Sequence, residues 1–211
     1  MSEWSFEDQL RKASYRVPDL IKPYLSEYEL AIKAHNKLTG NPIDQITGNY
    51  PVNDDVEMVI TNEPVEVLLK SAGRSWMMQS CERLDTTQEC QHGPFGDIEQ
   101  GAGIVLFHHI GENEPFARTM IRWCEKPDGE RDIGIEPKMY PLPKGRGFDA
   151  VPLMDALVTV VEDAGFGCYD KCRTPYRVKG YSHMGEDEAA KPMNINVTYT
   201  QWWKNKRRYN P

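Results

Sequence analysis

No stretch of this chain is apolar for long. Its longest strongly apolar run, Gly103-Ile104-Val105-Leu106-Phe107, falls far short of the roughly 20 residues a membrane-crossing helix needs. The start, Met1-Ser2-Glu3-Trp4, has no basic segment followed by an apolar one, so no signal peptide is expected. The five cysteines are odd in number and unevenly spaced. In a chain expected to stay in the cytoplasm they read as thiols or metal ligands before disulfides. Positive charge is in deficit, 25 Lys and Arg against 32 Asp and Glu, giving a formal charge of -7. That balance disfavours non-specific coating of nucleic acid but leaves room for a local basic patch. Complete phosphate-binding signatures are missing too. Gly101-Ala102-Gly103 lacks the glycine spacing and following helix of a dinucleotide fingerprint, and Lys144-Gly145-Arg146-Gly147 lacks the P-loop pattern. There is no repeat and no low-complexity tract.

What is present is a globular composition, 39% hydrophobic and 27% charged, with ten Tyr, five Trp and six Phe in 211 residues. That is enough for one sizeable core. The opening residues 1–40 read as a helical segment interrupted by Pro18 and Pro23. Ser26 with Glu29 has the spacing of a capping box, and Leu30, Ala31, Ala34 and Leu38 recur at helical intervals up to a stop at Gly40. A loop rich in Asn, Pro, Gly and Asp follows from Asn41 to Asp55.

Residues 56–202 then read as the core domain. Val56 to Thr61 alternates as a strand does, and Asn62-Glu63-Pro64 opens a short helix through Val65, Leu68 and Leu69. Further strands are expected at Trp76–Ser80, Ile104–His109, Ala117–Trp123, Ile133–Tyr140 and Ile195–Trp202. A helix is expected from about Ala150 to Ala164, with Met154, Leu157, Val158 and Val161 on one face. Runs of strands with helices before and after predict an α+β fold: a mostly antiparallel sheet, helices packed on one face, and a short helical segment in front. Residues 203–211 read as a basic tail.

Three constellations could carry chemistry. Cys90-Gln91-His92 and Cys168-Tyr169-Asp170-Lys171-Cys172 offer two pairs of soft ligands, as a tetrahedral structural zinc would require, with Cys90, His92, Cys168 and Cys172 as the ligands. Neither spacing is the two-residue knuckle, and ordinary thiols explain the same residues. No other cofactor is expected. Cys81, after Ser80 at the end of a hydrophobic strand, is a candidate nucleophile needing a base and a lowered pKa; the alternative is a buried cysteine packing as a small hydrophobe. His108 and His109 would point to opposite faces of their strand, so at most one could serve it. Finally, Trp202, Trp203, Lys204, Lys206, Arg207 and Arg208 interleave aromatics with cations, as stacking on bases and pairing with phosphates would need. A solvated tail anchored by its tryptophans is the competing reading.

The segment Val59 to Cys81 joins a strand, a proline-containing turn, a short helix ending at Ser71, then Trp76 and Ser80-Cys81. It is followed by a glycine-led strand, Gly101 to Phe107, by Pro115-Phe116-Ala117-Arg118-Thr119-Met120-Ile121-Arg122, and by Glu136 shortly before Tyr140. This order of parts, over roughly 80 residues, resembles uncharacterised proteins of tailed bacteriophages and related mobile elements. The segment from Asp85 to Gly96 lies outside the pattern. The resemblance implies a setting, the cytoplasm of an infected bacterial cell, and singles out Ser80, Cys81, Arg118 and Glu136. These form either a polar catalytic site or a buried hydrogen-bond network that fixes strand register. The functional expectation is an accessory protein that binds a host protein or nucleoprotein complex, in host takeover or anti-defence. Single-stranded nucleic-acid binding through the tail and a Cys81-dependent enzyme are the alternatives, and no membrane partner is expected.

Overall fold

The computed structural model describes residues 23–72, 93–125, 130–136, 139–141 and 148–170. The expected strands at Trp76–Ser80 and Ile195–Trp202, and the tail, lie outside the described residues, as do Cys81, Cys90, His92 and Cys172.

Helix α1 spans Leu25–His35. It begins a residue before the expected cap: Ser26 lies inside the first turn and Tyr24, which makes no side-chain cap, precedes it. Its buried face is Tyr28, Ala31 and Ile32, while Leu30 is 62% exposed. The expected stripe was therefore rotated. A tyrosine ring sets the inward direction, and Leu30 is left in water. After α1 the chain turns through Gly40, in the left-handed region at φ 64°, where the missing Cβ removes the steric penalty.

Asn41 then fixes a tight 3-10 turn, Pro42–Gln45. Its Oδ1 accepts from the Ile43 amide at 3.0 Å and its Nδ2 donates to the Gly101 carbonyl at 2.7 Å. Gly101 is itself left-handed, at φ 65°. A Cβ there would strike the Asn41 amide and lie 2.8 Å from Leu38 Cδ1.

The stretch read as an Asn41–Asp55 loop contains an edge strand, β1 (Gly48–Pro51), which pairs with β2 (Val56–Thr61). Helix α2 covers Pro64–Ala72 and helix α3 covers Gly93–Glu99. Strands β3 (Gly103–His109), β4 (Ala117–Glu125), β5 (Arg131–Ile135) and β6 (Tyr140–Pro141) follow, then helix α4 (Ala150–Asp163) and strand β7 (Cys168–Asp170). The sheet runs in the order β1-β2-β3-β4-β5-β7, with β6 paired to β4 beside β5. Every described pairing is antiparallel except β5 with β7. The fold is α+β with a mostly antiparallel sheet, as the sequence predicts.

Strand alternation splits the apolar residues into two layers. Met58, Ile60, Val105, Phe107, Ile121 and Trp123 point to one face, where Leu153, Met154, Leu157, Val158 and Val161 of α4 cover them. Ile104, Leu106 and Met120 point to the other, under Tyr28, Ala31, Ile32, Val67, Leu68 and Ile98 of the first three helices. Helices therefore occupy both faces of the sheet. The single-face expectation fails because β3 is apolar on both sides, and each side must be covered. Asp149 caps α4 by accepting from the Val151 amide at 3.0 Å. Gly103 lies where a Cβ would be 2.9 Å from Ile121 and 3.0 Å from Ile43, so the 3-10 turn can close on the sheet.

The expected strand Ile133–Tyr140 is broken in two. Ile135 pairs with Ile121 and Tyr140 with Arg118. Five steps along one strand thus oppose three along β4, leaving a bulge of two extra residues after Ile135. The bulge is anchored by the Glu136 amide donating to the Met120 carbonyl at 2.8 Å, and by the Thr119 hydroxyl donating to the Glu136 carbonyl at 2.9 Å.

Candidate functional site

Two places in the structure concentrate polar groups. The first is buried. Alternation along β4 puts Arg118 and Arg122 on the face under α3, on either side of Met120, and each is only 2% exposed. Arg122 is held by Asp97 of α3 in a two-pronged pair, Nε to Oδ1 at 2.7 Å and Nη2 to Oδ2 at 2.9 Å. Its remaining nitrogen, Nη1, lies 3.7 Å from the Glu136 carboxylate. The guanidinium of Arg118 sits over the Tyr140 ring, 4.5 Å from its centre, a favourable cation–π placement.

The bulge makes this arrangement possible. Its two extra residues let the backbone of Glu136 stay on the ladder while Tyr140 comes back into register opposite Arg118. Glu136, at 15% side-chain exposure, is the member of the Arg122 group nearest solvent. Burying a guanidinium is costly unless it is paired, and the Asp97 fork matches Arg122 in geometry as well as charge. What this layer can do chemically is hold: it ties both α3 and the bulge to β4.

Of the residues expected to act together, the structure brings Arg118 and Glu136 onto the same face. Asp97 is the member that sequence reasoning missed. It lies in a segment, Gly93-Pro94-Phe95-Gly96-Asp97, whose glycines and proline read as loop. The arginine pair was open to reading, since Arg118-x-Met120-x-Arg122 places both on one face of any strand.

Cys168 lies in β7, opposite Ile133 and buried in the apolar layer under α4. Its three partners in the expected zinc set lie outside the described residues. Among the described residues no group of three or more His, Cys, Asp and Glu side chains could hold a metal ion. No described helix is long and apolar enough to cross a membrane.

The second place is exposed. The β1–β2 turn and the β3–β4 turn lie at the same end of the sheet, because Val56 pairs with His109, and the Ile110 amide donates to the Asp55 carbonyl at 2.9 Å. The first turn carries Asp54 and Asp55, the second Glu112 and Glu114, all four exposed. Between them Ile110 is 58% exposed, one of two large hydrophobic residues so exposed among the described ones. Next to it, exposed His109 stacks on Phe116 with ring centres 4.5 Å apart, and Phe116 meets Phe148 edge-on at 5.7 Å. An apolar path thus runs from the core to the surface, at the end of the sheet whose turns carry these four carboxylates. As expected, His108 and His109 diverge: His108 is half-buried opposite Glu57 and His109 faces solvent.

No family model matches this chain, and neither the curated proteins nor the solved structures contain a significant match to it.

Proposed function

We propose that this protein is an accessory binding protein that engages a positively charged surface of a host protein or nucleoprotein complex through the turn end of its sheet. The observation that carries this reading is Ile110, exposed at 58% among Asp54, Asp55, Glu112 and Glu114. An apolar anchor inside a charged rim is the layout of an interface that gains affinity at its centre. The rim raises encounter rates with a basic partner, in keeping with the net charge of -7. The resemblance of the central part of the chain to tailed-bacteriophage proteins supports an infected bacterial cell as the setting, with the partner a host machine to be redirected or inhibited.

Arg118 and Glu136 have a structural role in this reading, because both belong to the layer that ties α3 and the bulge to the sheet. The zinc site, the Cys81 nucleophile and the nucleic-acid contact through residues 202–208 rest on residues outside the described ones. The test is affinity purification of the tagged full chain from bacterial lysate, with and without nuclease. The expected result is one stoichiometric host protein that survives nuclease treatment. Recovery of nucleic acid, or only of proteins that vanish with nuclease, would move the function to the basic segment.

A further inference from the structure

Gln100, the residue that follows α3, is buried, with 8% of its surface exposed. Among the described residues neither its Oε1 nor its Nε2 has a hydrogen-bond partner. Native proteins leave few buried polar groups in that condition. Each one shifts the folding equilibrium toward the unfolded chain by roughly 5- to 150-fold. Here a donor and an acceptor lie together at the end of one side chain, on the layer that joins α3 to the sheet.

The main chain around Gln100 is held from three sides. His35 Nδ1 of α1 donates to the Ile98 carbonyl at 3.0 Å, Trp123 Nε1 of β4 to the Gln100 carbonyl at 2.7 Å, and Asn41 Nδ2 to the Gly101 carbonyl at 2.7 Å. The Gln100 amide donates to the Gly96 carbonyl at 3.2 Å, so the helical turn continues through it. Gln100 therefore falls one turn beyond Asp97, on the side of α3 that grips Arg122. A backbone fixed in this way cannot move out to carry the amide into bulk water. A polar group kept buried by such over-determined surroundings is where a bound molecule is expected.

We propose that the Gln100 carboxamide binds an ordered water molecule between α3 and the sheet. Size and charge select this ligand. Both amide atoms are closed off from bulk solvent, which excludes anything much larger than water. A carboxamide presents N–H donors beside a carbonyl acceptor. Water is both donor and acceptor and matches the two together, whereas a cation is opposed by the N–H and an anion by the carbonyl oxygen. The charge on this side of α3, that of Arg122, is already balanced by Asp97 and Glu136 and calls for no further ion. Gln100 supplies two of the two to four hydrogen bonds that a buried water makes. The site is separate from the turn end of the sheet and does not depend on the function proposed there.

Two measurements on the full chain decide it. Magnetic relaxation dispersion of the solvent counts the water molecules that a protein holds for longer than its own tumbling time. Gln100→Met keeps an unbranched side chain of similar length and removes both polar atoms, so the count should fall by at least one. The variant's unfolding equilibrium in urea should move by less than about threefold, or toward the unfolded chain. The second measurement needs no variant. In the unaltered chain the side-chain amide protons of Gln100 should show cross-relaxation with water, of the sign given by a long-lived contact and not by proton exchange. An unchanged water count overturns the proposal, and so does an amide group without that contact. Stabilisation of Gln100→Met by about tenfold or more, about 1.4 kcal/mol, overturns it too, because that gain marks an amide buried with no ligand at all.

Discussion

Replacing Asp97 with Ala should be among the most damaging single changes outside the apolar core. It removes both hydrogen bonds to Arg122, at 2.7 and 2.9 Å, and leaves a guanidinium 2% exposed with Glu136 as its nearest remaining described carboxylate, at 3.7 Å. Breaking a buried pair by deleting one partner costs about 3–5 kcal/mol. A chain of this size has a total stability of roughly 5–15 kcal/mol. At about 2–4 °C per kcal/mol, the melting temperature should fall by roughly 6–20 °C.

The double replacement Asp97→Leu with Arg122→Met tests the reasoning more sharply. Apolar residues of similar volume need no solvation, so the double variant should recover most of the loss and could exceed the parent. The assay is urea unfolding followed by circular dichroism, with thermal melts in parallel. A loss below about 1 kcal/mol for Asp97→Ala would place Arg122 in water and refute the buried pair. A double variant as unstable as the single one would show that the layer contributes more than charge compensation.

Other changes read different parts of the structure. Gly101→Ala forces a Cβ into the left-handed region and onto Asn41; it should cost at least about 2 kcal/mol in urea unfolding, whereas an effect under 0.5 kcal/mol would contradict the Asn41 contact. Leu30→Glu on the exposed face of α1 should change stability by less than about 0.5 kcal/mol, while Tyr28→Ala, inside the core, should cost about 3–5 kcal/mol.

Burial pushes the Tyr28 phenol well above its ordinary pKa, with the negative charges of Glu63 and Glu66 adding to the effect. A raised folded pKa gives stability that is fully present below the unfolded value, near 10, and is lost as pH rises from there toward the folded value. Tyr28→Phe should therefore make the alkaline decline of stability shallower by up to about 1.4 kcal/mol per pH unit above pH 10. An unchanged slope would show that the phenol ionises as readily folded as unfolded. Asp149→Ala removes the cap of α4 and should cost about 1 kcal/mol.

How much of this was legible in the sequence depended on whether local pattern and tertiary packing agreed. β2 was readable to its ends because its alternation, fully buried at Val56, Met58 and Ile60 and half-buried between them, is that of a strand with one face deep in the core. The helix after Asn62-Glu63-Pro64 starts at Pro64, although the Asn62 side chain donates to Asp44 Oδ1 at 2.7 Å instead of capping it. The helix Ala150–Asp163 starts where its apolar face predicts, on a cap, Asp149, that the pattern did not single out. β1 was not readable: Gly-Asn-Tyr-Pro is turn chemistry, and only pairing with β2 makes it a strand. α3 was missed for a similar reason, since Gly93, Pro94 and Gly96 disfavour a helix that burial on both sides sustains. In α1 the capping pattern and the leucine misled, because Tyr28 outweighs Leu30 as the residue to bury.

The candidate sites divide the same way. Arg118 and Arg122 on one face follow from alternation, but the carboxylates against Arg122 sit across a bulge and on a helix with no local signal. The acidic sheet end depends on two turns far apart in sequence, brought together by the pairing of Val56 with His109. Neither turn alone distinguishes an interface from an ordinary polar loop.

The central claim is that the turn end of the sheet is the contact surface. Its most direct test is affinity purification of three full chains side by side. One is unaltered, one carries Asp54, Asp55, Glu112 and Glu114 changed to Lys, and one carries the same change at the exposed carboxylates Glu29, Asp155, Glu162 and Asp163. Both variants have the same net charge. The account predicts that a stoichiometric host protein recovered with the unaltered chain is retained by the second variant and lost from the first. Retention by the first variant, or equal loss from both, would contradict it.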